Sequence, residues 1–285
     1  STILSFGTAG CNLACKYCQN WEISTSRDID TLAAPATPRA LARAAANVEA
    51  VGVAFTYNDP VVFAEYAIDT AAACHEAGLL TVAVSAGWIS PEPCDALFGA
   101  VDAANIDLKG FTDDFYRRAT GARLADVLDT LVRVRALGTW LEITTLLIPG
   151  RNDSDAEIAA ECAWIVSELG DEVPVHFSAF HPAHRMLDVP RTPASTLERA
   201  RAIAHDAGIA HVYLGNVRTS NGSSTCCAGC GALLVDRVGY RVADYRITPE
   251  GACPQCGREV PGIWDPAGPP PAVGQWWPRR VAVGA

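Results

Sequence analysis

Seven short β-prone runs alternate with helical stretches from Ile3 to about Gly215, and such alternation requires βα units on a parallel sheet. The runs are Ile3–Phe6, Val51–Phe55, Leu79–Ser85, Ala103–Asp107, Leu141–Leu147, Val173–Ser178 and His211–Leu214. Thr37-Pro38 and Thr192-Pro193 each offer an N-cap followed by proline at the first helical position. Ser90-Pro91 starts another helix, and Ser154 with Glu157 spells a capping box. Beyond Ser154, the residues Ile158, Cys162, Ile165 and Leu169 recur at helical spacing, so Cys162 reads as a core residue. Periodicity alone fits either a doubly wound open sheet or a full or partial barrel. In both, loops at the carboxyl ends of the strands carry the chemistry.

The chain has 285 residues, 49% of them hydrophobic, enough for one large core and a small appendage. A net charge of −10 speaks against a nucleic-acid partner held by a basic surface. No apolar run approaches the roughly 18 residues of a membrane span, and the start lacks a signal-peptide layout, so a cytoplasmic protein without a membrane partner is expected. Eight of the eleven cysteines fall in two compact groups, which favours metal over disulfides. Cys74 and Cys94, outside those groups, read as packing residues.

The first group lies in the loop Gly7–Asn20, directly after the first strand, where Cys11, Cys15 and Cys18 form a Cys-x3-Cys-x2-Cys run. Three thiolates can hold three irons of a cubane and leave the fourth open, because the loop has no fourth cysteine. Zinc with a distant fourth ligand is the alternative and suits this spacing less well. With the aromatic Tyr17 before the third cysteine, the run resembles the signature of the radical S-adenosylmethionine (SAM) superfamily. The strings GCNLACKYCQNWEIS, FTYNDPVVFAEY, IDLKGF, LEITTLLIPGRND, HFSAFHP and VYLGN together resemble the AmmeMemoRadiSam-system enzymes, relatives of the pyruvate formate-lyase activating enzyme. The resemblance spans about Ile3–Trp264 and implies an α/β fold, a partial (β/α)6-type barrel. It also implies a [4Fe-4S] cluster whose open iron binds the amino and carboxylate groups of SAM, and an external electron donor such as flavodoxin or ferredoxin. One electron then cleaves SAM, normally to methionine and a 5′-deoxyadenosyl radical that abstracts hydrogen from a small-molecule or peptide substrate.

The same resemblance marks cofactor-binding positions. Asn58 and Asp59 stand where the family binds the SAM amino group, although Asp59 also reads as a helix cap before Pro60. Gly87 follows Ala86, which replaces the polar amide usual there. Asp107 and Lys109 project from one side of the fourth strand, either toward SAM or as a surface salt bridge. Ile148 matches an adenine-packing position or is core, and His181 matches a ribose-side histidine. His176, His184 and Arg185 are weaker candidates for the substrate side.

After about Ser220 the character changes. Cys227, Cys230, Cys253 and Cys256 form two Cys-x2-Cys-Gly knuckles around the β-like stretch Leu233–Tyr245, the pattern of a four-cysteine zinc-ribbon or rubredoxin-like module. Structural zinc is expected there, with a single iron or an auxiliary Fe–S cluster as alternatives and Cys226 as a spare thiol or alternative ligand. The boundaries read as 1–220 for the core, 221–264 for the module and 265–285 for a Pro/Gly-rich tail bearing Trp276, Trp277, Arg279 and Arg280. Three further functions compete with the leading one: a glycyl-radical activase acting on a partner protein, a noncanonical SAM cleavage, and a non-catalytic Fe–S/Zn scaffold.

Overall fold

The computed structural model describes residues 2–27, 35–219, 221–239, 241–264, 280, 281 and 283; the tail's Trp276, Trp277 and Arg279 lie outside the described residues. Strands β1 (Ile3–Phe6), β2 (Gly52–Phe55), β3 (Leu80–Ser85), β4 (Ala103–Asp107), β5 (Trp140–Leu147), β6 (Val175–Ala179) and β7 (Val212–Gly215) form one parallel sheet in that order. The order never reverses, so the doubly wound alternative, which requires a switch point, is excluded. Since β1 and β7 do not pair, the curled sheet is a partial barrel.

The α-helices among the described residues are α1 (Trp21–Ser24), α2 (Pro38–Asn47), α3 (Ala64–Glu76), α4 (Pro91–Gly99), α5 (Asp113–Phe115), α6 (Leu124–Leu137), α7 (Asp155–Glu168) and α8 (Ala194–Asp206). Thr37 caps α2 by accepting from the amide of Ala40, as its sequence predicts. Only half of the predicted capping box forms: Ser154 accepts from the Glu157 amide, while the Glu157 carboxylate turns to the Phe111 amide at 2.8 Å. Thr192 is not a cap. Its hydroxyl donates to the Leu147 carbonyl at 2.6 Å and accepts from the Phe180 amide at 3.0 Å, tying together the ends of β5 and β6.

Strand alternation sorts the side chains. Phe55, Ile106, Ile143 and Phe177 are fully buried in the core that the helices cover, together with Cys74, Cys94 and Cys162. The alternate positions Asn105, Asp107, Glu142, Thr144, His176, Ser178 and Tyr213 are only half-buried and line the opposite, inner face. A small antiparallel sheet, β8 (Thr225–Cys226), β9 (Leu233–Val238) and β10 (Arg241–Tyr245), builds the C-terminal unit around Leu234, Val235, Ile247 and Val260. The Leu214 amide donates to the Gly222 carbonyl at 2.7 Å, so the connection runs back along β7, otherwise a free sheet edge.

One core group has a pH signature. Glu161 on α7 is 1% exposed and accepts a hydrogen bond from Thr145, and burial pushes its carboxyl up to about 8. Between the unfolded pKa of about 4.3 and the folded value, the native state holds a proton that the unfolded chain releases. That stabilisation is complete below the unfolded pKa and is lost as pH rises through 8. Replacing Glu161 by Gln therefore shifts relative stability toward the variant, on the order of a few kcal/mol, between about pH 5 and pH 8.5. Parallel urea-unfolding profiles of wild type and variant across that range would contradict this.

Candidate active site and metal centre

β1 delivers the chain into the cysteine loop at Gly7, where a side chain is impossible: a Cβ would lie 2.4 Å from the Thr56 carbonyl oxygen and 2.5 Å from Asn58 Oδ1. The loop is held on two sides. Asn58 Oδ1 accepts from the Thr8 amide at 2.9 Å, and Asn58 Nδ2 donates to Thr8 Oγ1 and to the Gly10 carbonyl at 3.0 and 2.7 Å. Opposite, the amides of Ala14 and Lys16 donate to the carbonyls of Thr120 and Ala119 at 2.8 and 2.9 Å.

The three thiols sit half-buried on this loop. The Leu13 amide reaches Cys11 Sγ at 3.5 Å, and Cys18 Sγ lies 3.3 Å from Ser24 Oγ. Burial raises the Cys11 thiol and pushes Cys15 up to about 11, with the negative charges of Cys11 and Cys18 adding to the effect and Lys109 opposing it. Cys11 and Cys15 become thiolates together only against compensating positive charge, which iron supplies. They do not form a group with all ligand atoms within 4.8 Å, the compact arrangement of a single-ion site, so the donor set fits a wider cluster better than one zinc ion.

Lys109 faces this loop. Its Nζ lies 2.7 Å from Asp107 Oδ2, and its side chain is 15% exposed, so the pair is not a surface salt bridge. The backbone is fixed as well: the Lys109 amide donates to Tyr116 Oη at 3.0 Å, and its carbonyl accepts from Asn152 Nδ2 at 2.8 Å. Burial works against the ammonium charge, but Asp107, Cys15 and Tyr17 outweigh it and hold Lys109 protonated well above its usual range. Tyr17 is 4% exposed with its ring 6.1 Å from that of Phe115, and its hydroxyl is buried without a partner among the described residues. An orphaned buried hydroxyl beside a charged pair fits a site for a polar ligand.

The other predicted positions divide. Asp59 is 5% exposed and its carboxylate serves the fold: it accepts from the amides of Val61 and Ala86 at 3.1 and 2.8 Å and from Ser85 Oγ at 2.8 Å. The cap reading is therefore the observed one, and Asn58 likewise spends its side chain on the cysteine loop. Gly87 has φ +67°, its amide donates to Ser85 Oγ, and an added Cβ would meet Ile106 Cγ2 at 2.9 Å, so the glycine serves the turn and the core packing at the end of β3. Ile148 is fully buried among core residues. His181 and His184 line a depression of about 610 Å³ with Gln19, Trp21 and Leu187, beside the cysteine loop. His184 stacks on Trp21 at 5.5 Å, and the Arg185 amide donates to the Lys16 carbonyl at 2.8 Å.

His176 lies deeper, in a group that the sequence reading missed. Its Nε2 is 2.6 Å from Glu142 Oε2, and its ring stacks on Tyr213 at 5.0 Å. Trp140 Nε1 donates to the other Glu142 oxygen at 3.1 Å. Burial opposes ionisation of Glu142, yet His176 outweighs it and keeps the carboxyl below its usual range. The C-terminal unit joins this group, with the Arg237 guanidinium 5.9 Å from the Tyr213 ring and Thr225 Oγ1 within 3.0 Å of Tyr213 Oη. The available signal was Glu142 and Thr144 recurring at period two inside a strand that is otherwise apolar save Thr145.

In the C-terminal unit, Cys227, Cys230, Cys253 and Cys256 bring their sulfurs within 4.8 Å of one another, the one such group among the described residues. Cys227 and Cys256 are 3.5 Å apart, and Cys230 and Cys253 3.7 Å. Cys226 stands outside this group on β8. Four thiolates closing around one point suit a tetrahedral ion.

A parallel partial barrel with a three-thiol loop at the carboxyl end of its first strand defines an α/β protein with a candidate metal centre at the barrel mouth. The chain belongs to the Radical SAM superfamily, whose family model matches residues 6–163. Membership implies a [4Fe-4S] cluster and SAM. Among its relatives, an uncharacterized protein of Methanocaldococcus jannaschii is 38% identical over 259 residues, covering 90% of this chain and 77% of that one. The pyruvate formate-lyase-activating enzyme of Clostridium pasteurianum is 25% identical over 177 residues, covering 60% of this chain and 72% of that one. A radical SAM methyltransferase from Sphaerobacter thermophilus shares the fold with a TM-score of 0.60 at 18% identity, over 81% of this chain and 70% of that one. No helix among the described residues is long and apolar enough to cross a membrane.

Proposed function

We propose that this chain is an enzyme in which residues 1–220 hold a [4Fe-4S] cluster on Cys11, Cys15 and Cys18 and bind SAM beside it, while residues 221–264 fold around a structural zinc. The observation that carries this reading is the three thiols, half-buried on one loop, facing the Asp107–Lys109 pair at the carboxyl end of β4. When bound and reduced by an external donor such as flavodoxin or ferredoxin, the cluster supplies the electron that cleaves SAM, giving a 5′-deoxyadenosyl radical.

The protein's own share is binding and positioning. Lys109 offers its ammonium to the carboxylate or ribose of SAM, and Tyr17 offers its unpartnered hydroxyl. His181, lining the depression beside the cysteine loop, is offered to the ribose side. With the side chains of Asn58 and Asp59 engaged in the fold, their part is to fix the cysteine loop and the β2–β3 edge around SAM. The polar inner face, Asn105, Thr144, Glu142, His176 and Tyr213, suits a polar small molecule or peptide as the hydrogen donor. A second reading, activation of a partner protein by planting a glycyl radical, is favoured by the likeness to a pyruvate formate-lyase-activating enzyme.

Replacing Lys109 by Ala weakens SAM binding about tenfold, the scale of one lost charge-assisted hydrogen bond, and leaves cluster iron and sulfide unchanged. Equilibrium binding to anaerobically reconstituted protein measures this. Unchanged affinity would remove Lys109 from the SAM site.

A further inference from the structure

The barrel and the four-cysteine unit meet along a crevice of about 400 Å³ that reaches Tyr213 at its inner edge. Its barrel side is formed at the amino-terminal ends of β6 and β7, where Asp171 and the run Gly208–His211 lie. That is the end of the barrel opposite the cysteine loop. From the four-cysteine unit come Ser224–Ala228, Gly231 and Arg258.

The lining is basic in a chain whose net charge is −10. Arg201 and Arg258 stand against the single carboxylate of Asp171, with His205 and His211 beside them; burial lowers the pKa of His211, so its ring offers a neutral hydrogen-bonding edge rather than a charge. The side chains of Arg201, His211 and Arg258 have no hydrogen-bond partner closer than 3.4 Å among the described residues. Arg201 reaches only His205 Nε2 and the Asn221 carbonyl, both at 3.4 Å. Arg258 extends over Gly229 of the first knuckle, where an added Cβ would meet its Cδ at 3.1 Å, and its guanidinium takes part in no hydrogen bond or ion pair among the described residues. His205 anchors Nδ1 near the Ile209 carbonyl at 3.1 Å, which leaves Nε2 toward Arg201. His211 is 6% exposed, and its Nε2 is buried with no partner among the described residues. A buried polar atom left unpaired is costly, and two loosely held guanidiniums, one on each wall of the crevice, offer charged donors that oxygen anions accept.

We propose that this seam binds a small oxyanion or the oxyanion group of a larger ligand, of the phosphate or carboxylate class, between Arg201, His211 and Arg258. Because Arg201 and His211 belong to the barrel and Arg258 to the four-cysteine unit, the ligand clamps one to the other. The site lies away from the cluster loop, so it serves the assembly of the two units rather than hydrogen abstraction, and it stands independently of the SAM reading.

Calorimetric titration of the full, metal-loaded chain with potassium phosphate, and separately with potassium acetate, at ionic strength matched with potassium chloride, tests this. Saturable one-to-one binding is expected for wild type and for Arg151→Gln, a charge control beyond β5 at the other end of the barrel. Arg258→Gln and Arg201→Gln each lower the affinity about tenfold or more, with unchanged far-ultraviolet circular dichroism. Binding of phosphate alone identifies a tetrahedral dianion, and binding of acetate alone a carboxylate; either supports the site. Absence of saturable binding with both anions, or equal affinity in all four proteins, would overturn it.

Discussion

Cys15→Ala removes both the cubane and SAM cleavage, and leaves the C-terminal metal in place. Cys15 is the middle ligand of the three, packed against the barrel core, and burial raises its thiol to about 11. Losing it leaves two thiols, too few to fix a cluster whose fourth iron is already without a protein ligand. The expected loss is the whole of the loop's iron and sulfide, and SAM turnover falls to background. The C-terminal cysteine group shares no residue with this loop, so zinc stays near one per chain. Iron, sulfide and zinc analysis of the anaerobically reconstituted variant, beside its SAM turnover, measures the outcome. Wild-type iron content with undiminished turnover would remove the cluster from this loop.

Cys253→Ser has the opposite pattern, with about one zinc lost per chain, local unfolding of residues 221–264 and an intact N-terminal cluster. Cys253 is 1% exposed and packs with Leu234, Val235, Ile247 and Val260, a core too small to hold three strands by itself. In such units metal affinity is folding free energy, roughly 10–16 kcal/mol for a structural zinc, so one missing thiolate removes most of the stability. Hydrogen exchange localises the loss. SAM perturbs the spectrum of the reduced N-terminal cluster and leaves the C-terminal metal untouched, because a closed shell offers no open position. If the variant instead loses iron and sulfide beyond one cubane per chain, the second site is an auxiliary cluster.

Elements set by local pattern were legible in the sequence. The seven strands appear where β-prone runs alternate with helices, β1 and β4 with the expected bounds and the other five displaced by one or two residues at an end, as at β6, which begins at Val175 rather than Val173. The capped starts at Thr37 and Ser154 and the paired knuckles were legible for the same reason, since their partners lie within a few residues. Partners distant in sequence were not. Asp59 spends its carboxylate on Ser85 and Ala86, Asn58 on Thr8 and Gly10, and Thr192 on Leu147, contacts that exist only after the strands align. Glu142 was passed over because a carboxylate in a parallel strand has meaning only once His176 and Tyr213 stand beside it on the inner face. The Asp107–Lys109 pair was legible because Lys109, two residues beyond the end of β4, continues the strand's alternation from Asp107.

The most direct test of the central claim is the set of products formed from SAM by anaerobically reconstituted, reduced protein. The account predicts methionine and 5′-deoxyadenosine in equal amounts, dependent on Cys11, Cys15 and Cys18 together and unaffected by Cys253→Ser once the cluster is loaded. Methylthioadenosine in place of 5′-deoxyadenosine would mean that a different carbon–sulfur bond breaks, and failure of the fully loaded, reduced protein to consume SAM would contradict the account outright.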